Sequence, residues 1–155
     1  MRHLALLTLA LCACPRAPAP TVGMDAGLPG LVSNAVLGRP VATAQAQVRH
    51  ILVGWAELAP AYPGGIDRRA ADRSQAEAEA LVRTILARAR AGDPFPQLMK
   101  LFSEDPGSAQ TSDLLRVRPD GLMEPQFQAL SLRLEKGELG VCKTAYGFHI
   151  IQRVE

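Results

Sequence analysis

Two of the three histidines lie in apolar, β-branched runs, His50 in "VRHILV" and His149 in "YGFHIIQRVE". Imidazole titrates near neutral pH, so a pair could shuttle protons, ligate a metal, or set the polarity of a buried pocket. One strand histidine alone is more often a satisfied core residue; the pair raises the question. Three other groups carry matching chemistry. Asp105 offers a carboxylate, although the Pro106-Gly107 that follows also makes it an ordinary turn starter. Thr144 offers a hydroxyl close before His149, and Cys142 a thiol. A zinc site from His50, His149, Cys142 and Asp105 would draw on scattered positions with no local ligand motif, so no metal is expected.

These groups must be positioned by elements with the right periods. Residues 47–53, "QVRHILV", alternate as a strand, with Val48, His50 and Leu52 on one face and Arg49, Ile51 and Val53 on the other. A long loop follows, "GWAELAPAYPGGIDRRAADR", broken by Pro60, Pro63 and Gly64-Gly65, and loops of that length inside a domain are often functional. Ser74 and Glu77 form a capping box for a helix whose stripe is Ala78, Leu81, Val82, Ile85 and Ala89, ending at Gly92. A second helix fits "PFPQLMKLFS". The stretch "EDPGSAQTSD" reads as a loop leading to a short apolar piece, "LLRV". A third helix starts near Pro125 and runs toward Gly137, and two strands, "LGVCKT" and "FHIIQRV", close the chain. The order β, α, α, β, α, β, β predicts an α+β domain with a small, mainly antiparallel sheet.

The first residues belong to a different regime. Met1-Arg2-His3 is a basic start, and Leu4 to Cys12 is an apolar run too short for a permanent span, which needs about 20 residues. It reads as a secretory leader over residues 1–13. Its end, "LCAC", resembles the lipobox of bacterial lipoproteins, which implies cleavage before Cys14 and acylation of its thiol. Cys12 beside the cleavage point departs from that pattern, and an ordinary leader with an incidental cysteine is the alternative. With Cys12 removed and Cys14 capped, Cys142 has no disulfide partner. Residues 14–46 read as a Pro/Ala-rich tether, with 31–46 left between linker and packed segment, and 47–155 as the folded domain. A composition of 48% hydrophobic and 21% charged residues is globular. A formal net charge of +2 gives no broad footprint for nucleic acid.

Taken in order, "RHILV", "GDPFPQLMKLFSED", "DGLMEPQF" and "KTAYGFHIIQRVE" resemble the parvulin-type peptidyl-prolyl cis-trans isomerases from Val48 to Glu155. The resemblance implies a four-stranded sheet with three or four helices, a monomer, and proline-containing polypeptides as clients. It assigns His50, Asp105, Thr144 and His149 to the catalytic centre, with the histidines side by side and Thr144 in their hydrogen-bond network. Leu114, Met123 and Phe127 match the apolar pocket for the proline ring, and Glu124 a polar position near the substrate backbone. The sequence departs where members carry "GGDLG" and an aromatic: here "TSDLLRV" places Thr111, Ser112, Leu115 and Val117. Side chains thus replace glycine where the backbone needs unusual torsions. Leu132-Arg133 also stands where Phe-Ala is common.

The family's reaction fits these residue types. Rotation about a peptide bond faces a barrier of about 18–20 kcal/mol, and a thousandfold acceleration needs only about 4 kcal/mol. An apolar pocket that disfavours the planar, charge-separated amide supplies such a term without covalent chemistry, metal or cofactor. The expected function is therefore a membrane-tethered isomerase for exported proteins, the alternative being a degenerate domain that binds proline segments without turning them over. Arg68 and Arg69 follow the long loop, where the phosphate-selective branch of the family carries basic residues. Asp67 and Asp72 flank them, so no phosphopeptide preference is expected. Pro15 after Cys14 is not the aspartate of inner-membrane retention, which favours the outer membrane facing the periplasm. Cys14→Ala is expected to release the protein from membranes or block its maturation. Fractionation that finds the variant processed and still membrane-bound would show that Cys14 carries no anchor.

Overall fold

The computed structural model describes residues 30–155, so the leader, Cys14 and residues 14–29 of the expected tether lie outside the described residues. In chain order the elements are α1 (Asn34–Leu37), β1 (Ala46–Val53), a 3-10 helix (Ala56–Ala61), α2 (Arg68–Ala71), α3 (Gln75–Arg90), α4 (Phe95–Phe102), α5 (Pro106–Thr111), β2 (Leu115–Val117), α6 (Pro125–Ser131), β3 (Leu139–Thr144) and β4 (Gly147–Arg153). The strands form one sheet in the order β2-β1-β4-β3, every neighbouring pair antiparallel. The domain is α+β, as its element order predicts.

Strand alternation sorts the side chains into two cores. Ile51 and Val53 of β1, Phe148 and Ile150 of β4 and Val141 of β3 pack under α3 and α4. On the opposite face Val48, Cys142 and Ile151 pack with Phe127 and Leu130 of α6. Full burial of side chains of this size contributes about 1.5–3 kcal/mol each, so a sheet covered on both faces is held firmly in register. α3 starts at the expected capping box: Ser74 Oγ accepts the Glu77 N–H at 3.3 Å, and Glu77 Oε2 accepts the Ser74 N–H at 2.8 Å. Its buried face is Ala78, Val82, Ile85 and Leu86, with Leu81 and Ala89 half-buried beside it.

Four expectations need correction. The stretch after Glu104 is not a plain loop but α5, because Asp105 caps it by accepting the Ser108 N–H at 2.8 Å and Pro106 needs no N–H at the first position. The third helix ends at Ser131, and the chain then turns through Leu132 and Leu134, both buried. The long segment after β1 contains the 3-10 helix and α2. Residues 31–46 are packed rather than free, at least from Ser33: its N–H donates to the Val141 carbonyl and its hydroxyl accepts the Val141 N–H, while Val36 is buried and Ala42 N–H donates to the Leu132 carbonyl. The folded unit therefore begins near residue 31 instead of 47.

Two backbone positions constrain the region around the site. Gly147, at φ +136°, opens β4 so close to β1 that a Cβ there would lie 2.5 Å from the Val53 carbonyl oxygen. Ser112, at φ 55°, is the only non-glycine residue with positive φ among the described residues. It stands where the resemblance expects glycine, and a side chain in that conformation costs about 1–2 kcal/mol. Its hydroxyl recovers little through a 3.4 Å bond to the Pro96 carbonyl. Ser112→Gly is expected to stabilise the fold by about 1 kcal/mol, a rise of several degrees in thermal melting. An unchanged or lower melting temperature would mean that this backbone is not strained.

Candidate active site

His50 and His149 meet because of how β1 pairs with β4. Leu52 stands opposite His149 and His50 opposite Ile151, so the two histidines sit diagonally on one face of the sheet. Their rings lie 5.6 Å apart, 23° from parallel, with Nδ1 facing Nδ1 at 3.4 Å. Phe127 of α6 covers both, edge-to-face at 5.3 Å from His50 and 5.2 Å from His149. Thr144, at the end of β3, places Oγ1 2.9 Å from His149 Nε2 and accepts the Tyr146 N–H at 3.1 Å.

Asp105 reaches the same place by a different route. Beyond Val48, β2 no longer accompanies β1, and the chain leaving α4 takes over that side. The Leu52 N–H donates to Ser103 Oγ at 3.2 Å, and the Leu52 carbonyl accepts the Glu104 N–H at 2.9 Å. The next residue is Asp105, whose Oδ2 accepts the Ser108 N–H and faces His50 Nε2 at 3.6 Å. The structure thus unites His50, His149, Thr144, Asp105 and Phe127 through direct contacts. Met123 is half-buried against the Phe127 side of the core. Leu114 and Glu124 are half-buried nearby in sequence, but no hydrogen bond or ring contact ties either to the histidines. Cys142 is fully buried under α6, and burial pushes its thiol up to about 12. Two grooves, one between residues 41–44 and α6 and one between residues 30–36 and α3, are lined by none of these groups.

Sequence reasoning missed the residues that hold this frame. Glu104 is buried, accepting the Gly54 N–H at 2.7 Å and Arg73 at 2.6 Å, and Arg73 also donates to the Gly54 carbonyl at 3.1 Å. Tyr62 donates its hydroxyl to the Tyr146 carbonyl. Arg69, although exposed like Arg68, pairs with Asp67 and donates to the Leu101 and Ser103 carbonyls. No period or motif marks these contacts. An acidic Glu104 preceding a turn starter was the only hint, and it was indistinct from a surface charge.

A profile of the PPIC-type PPIASE domain matches residues 35–155. The chain belongs to that family. The chaperone SurA of Pseudomonas savastanoi pv. phaseolicola is 36% identical over 110 residues, which cover 70% of this chain and 22% of SurA. The chain therefore spans about a fifth of the length of the curated relatives it matches. Among solved structures, the PPIase domain of TBPAR42 is 30% identical with a TM-score of 0.55, covering 71% of this chain and 99% of that one. The peptidylprolyl isomerase PrsA from Bacillus cereus is 27% identical with a TM-score of 0.52, covering 74% of this chain and 36% of that one.

In this PPIC-type domain the site's charges are ordered by burial and hydrogen bonding. The adjacent His50 ring, then the Ser108 N–H and hydroxyl, hold the Asp105 carboxyl well below the usual carboxylate range. Burial lowers His149 to about 3, and the neighbouring His50 adds to the effect while Asp105 opposes it. His149 is therefore neutral, with one ring nitrogen donating and the other accepting. With His50 in its neutral form, a proton on the Nε2 that faces the carboxylate leaves Nδ1 as an acceptor. His149 Nδ1–H then donates to it, and His149 Nε2 accepts the Thr144 hydroxyl. The network is directional, running from Thr144 through both rings to Asp105.

Protonation linkage follows from His149. Its folded value lies below its ordinary value of about 6.5, so between them the unfolded chain binds a proton that the folded chain refuses. Stability is lost as pH falls from about 6.5 toward 3, by up to about 2 kcal/mol between pH 7 and pH 5. Denaturant unfolding at both pH values checks this, and the loss should shrink in His149→Gln. An NMR titration in which the His149 ring protonates above pH 5 would contradict it.

Proposed function

We propose that this domain is a peptidyl-prolyl cis-trans isomerase working on proline-containing segments of exported polypeptides, as a monomer and without a cofactor. The observation that carries the reading is the joint placement of Phe127 over both imidazoles and of an ionised Asp105 at their edge. Family membership supports it. In this reading Phe127 and Met123, with Leu114 at the rim, receive the proline ring, and Glu124 lies along the client backbone. Export and tethering are part of the same proposal: Cys14 carries the anchor, and residues 15–29 hold the domain off the outer membrane.

The mechanism is a change of environment around one amide. In the planar state the carbonyl oxygen is partly negative and the nitrogen partly positive. The twisted transition state loses that separation. A fixed carboxylate near the oxygen and an apolar wall around the ring both disfavour the planar state, so the barrier falls. Covalent catalysis is disfavoured: a thiol as buried as Cys142 has no access to a client and little thiolate. A binding-only domain is the second reading, favoured by the strained Ser112.

A protease-free isomerisation assay on a proline peptide separates these readings. Asp105→Ala and Phe127→Ala are each expected to lower kcat/KM at least tenfold, about 1.4 kcal/mol of barrier. Cys142→Ala should keep most of the activity. His50→Ala should lose stability along with turnover, because it leaves part of a buried polar network unsatisfied. Full turnover by a folded Asp105→Ala, with Cys142→Ala folded and dead, would overturn the assignment. An unmodified chain that binds the peptide without accelerating isomerisation would establish the second reading.

A further inference from the structure

The segment between β1 and α3 is tied to the sheet twice. At its base, Arg73, Gly54 and Glu104 form the buried clasp described above. Near its middle, Tyr62 follows the 3-10 helix, donates its hydroxyl to the Tyr146 carbonyl and sets its ring edge-on to Tyr146 at 5.5 Å. Tyr146 belongs to the two-residue turn, Ala145-Tyr146, that joins β3 to β4. Its N–H donates to Thr144 Oγ1, and Thr144 Oγ1 is bonded to His149 Nε2. One phenol thus lies three hydrogen bonds from a histidine that the sequence places far away.

We propose that Tyr62 is a positioning residue: by holding the Ala145-Tyr146 turn, its hydroxyl keeps Thr144 donating to His149 and so keeps His149 in a single tautomer. The reason lies in what a hydroxyl can do. Thr144 has one hydrogen to give and lone pairs to accept with. While one of its two lone pairs accepts the Tyr146 N–H, the Thr144 hydroxyl is polarised into a better donor, and its hydrogen goes to His149 Nε2. If the turn drifts and that N–H is lost, Thr144 is free to accept from a protonated Nε2 instead. His149 Nδ1 then carries a lone pair aimed at the His50 Nδ1 lone pair 3.4 Å away, and the two rings lose their bond.

The turn needs such a holder. Ala145 and Tyr146 are both exposed, and no other hydrogen bond reaches the Tyr146 carbonyl among the described residues. The phenol is suited to the task because it stays protonated: burial, then the nearby Glu104 and Asp105 carboxylates, push it up to about 12.

Tyr62→Phe removes only the hydroxyl and keeps the ring contact. The test compares the full chain with this variant by ¹⁵N NMR of the imidazole nitrogens, isomerisation kinetics and thermal melting. The expected result is a His149 signal pair that moves from one tautomer toward a mixture, with melting within a few degrees. Resting on the isomerase reading, kcat should fall about threefold to tenfold while KM stays near its original value. An unchanged His149 tautomer pattern in Tyr62→Phe would overturn the proposal, whatever the melting temperature. If the unmodified chain shows no isomerase activity, that reading fails by itself, and the nitrogen signals still decide the role of Tyr62.

Discussion

Along the middle of the sheet, β1 and β4 run antiparallel with Leu52 against His149 and Ile151 against His50. Everything at the site depends on that register. A slip of one residue would send one imidazole to the α3 side of the sheet, because successive side chains alternate faces. The slip is resisted by the residues between the histidines. Ile51, Val53, Phe148 and Ile150 are all essentially buried on the opposite face, so displacing the polar pair would also empty an apolar core. Large-to-small changes in such cores cost about 2–5 kcal/mol, which indicates how strongly the apolar face defends the polar one.

Burying two imidazoles is costly unless their nitrogens are satisfied. Here each ring nitrogen faces a partner, and the network ends at each side on a group that is itself held. Asp105 is fixed as the cap of α5, and Thr144 by the Tyr146 N–H. Phe127 then excludes water from the pair without adding a polar group. The arrangement lets a polar network persist beneath an apolar wall, with the Asp105 carboxylate at the edge, partly open to solvent. In the proposed reaction, that separation would supply low polarity around the proline ring and an oriented charge near the carbonyl oxygen.

The clasp of Arg73, Glu104 and Gly54 connects this centre to the long segment after β1. Glu104 is nearly sealed from solvent and Arg73 mostly so. A buried ion pair of this kind is weak evidence for net stability, yet breaking it by removing one partner costs about 3–5 kcal/mol. Its structural consequence is clearer. It pins both ends of a long segment to the residue next to Asp105, so loop, cap and the Asp105 carboxylate share one support. Arg69 adds to that support through the Ser103 carbonyl. One arginine of the basic pair is thus engaged in architecture.

The sequence by itself determined what depends on local periodicity and short-range bonding. Strand alternation around His50, the Ser74-Glu77 box, the stripe of α3 and the α+β element order were all legible, because each is a contact or phase within a few residues. The family resemblance added the grouping of His50, His149, Thr144, Asp105 and Phe127, which no local rule supplies. Of the three positions where side chains replace the expected glycines, Ser112 alone takes the unusual torsion, while Thr111 lies in α5 and Leu115 in β2. Other features were decided only by tertiary structure. Residues 31–46 joined the domain because the β3 edge offered Val141 as a partner. Glu104, Arg73 and Tyr62 reached the site from positions that look like surface. Their roles rest on hydrogen bonds between residues about 20 to 85 positions apart in sequence. Closing such distances is an outcome of the whole fold's packing, and a side chain's type carries no record of which distant carbonyl or carboxylate it will meet.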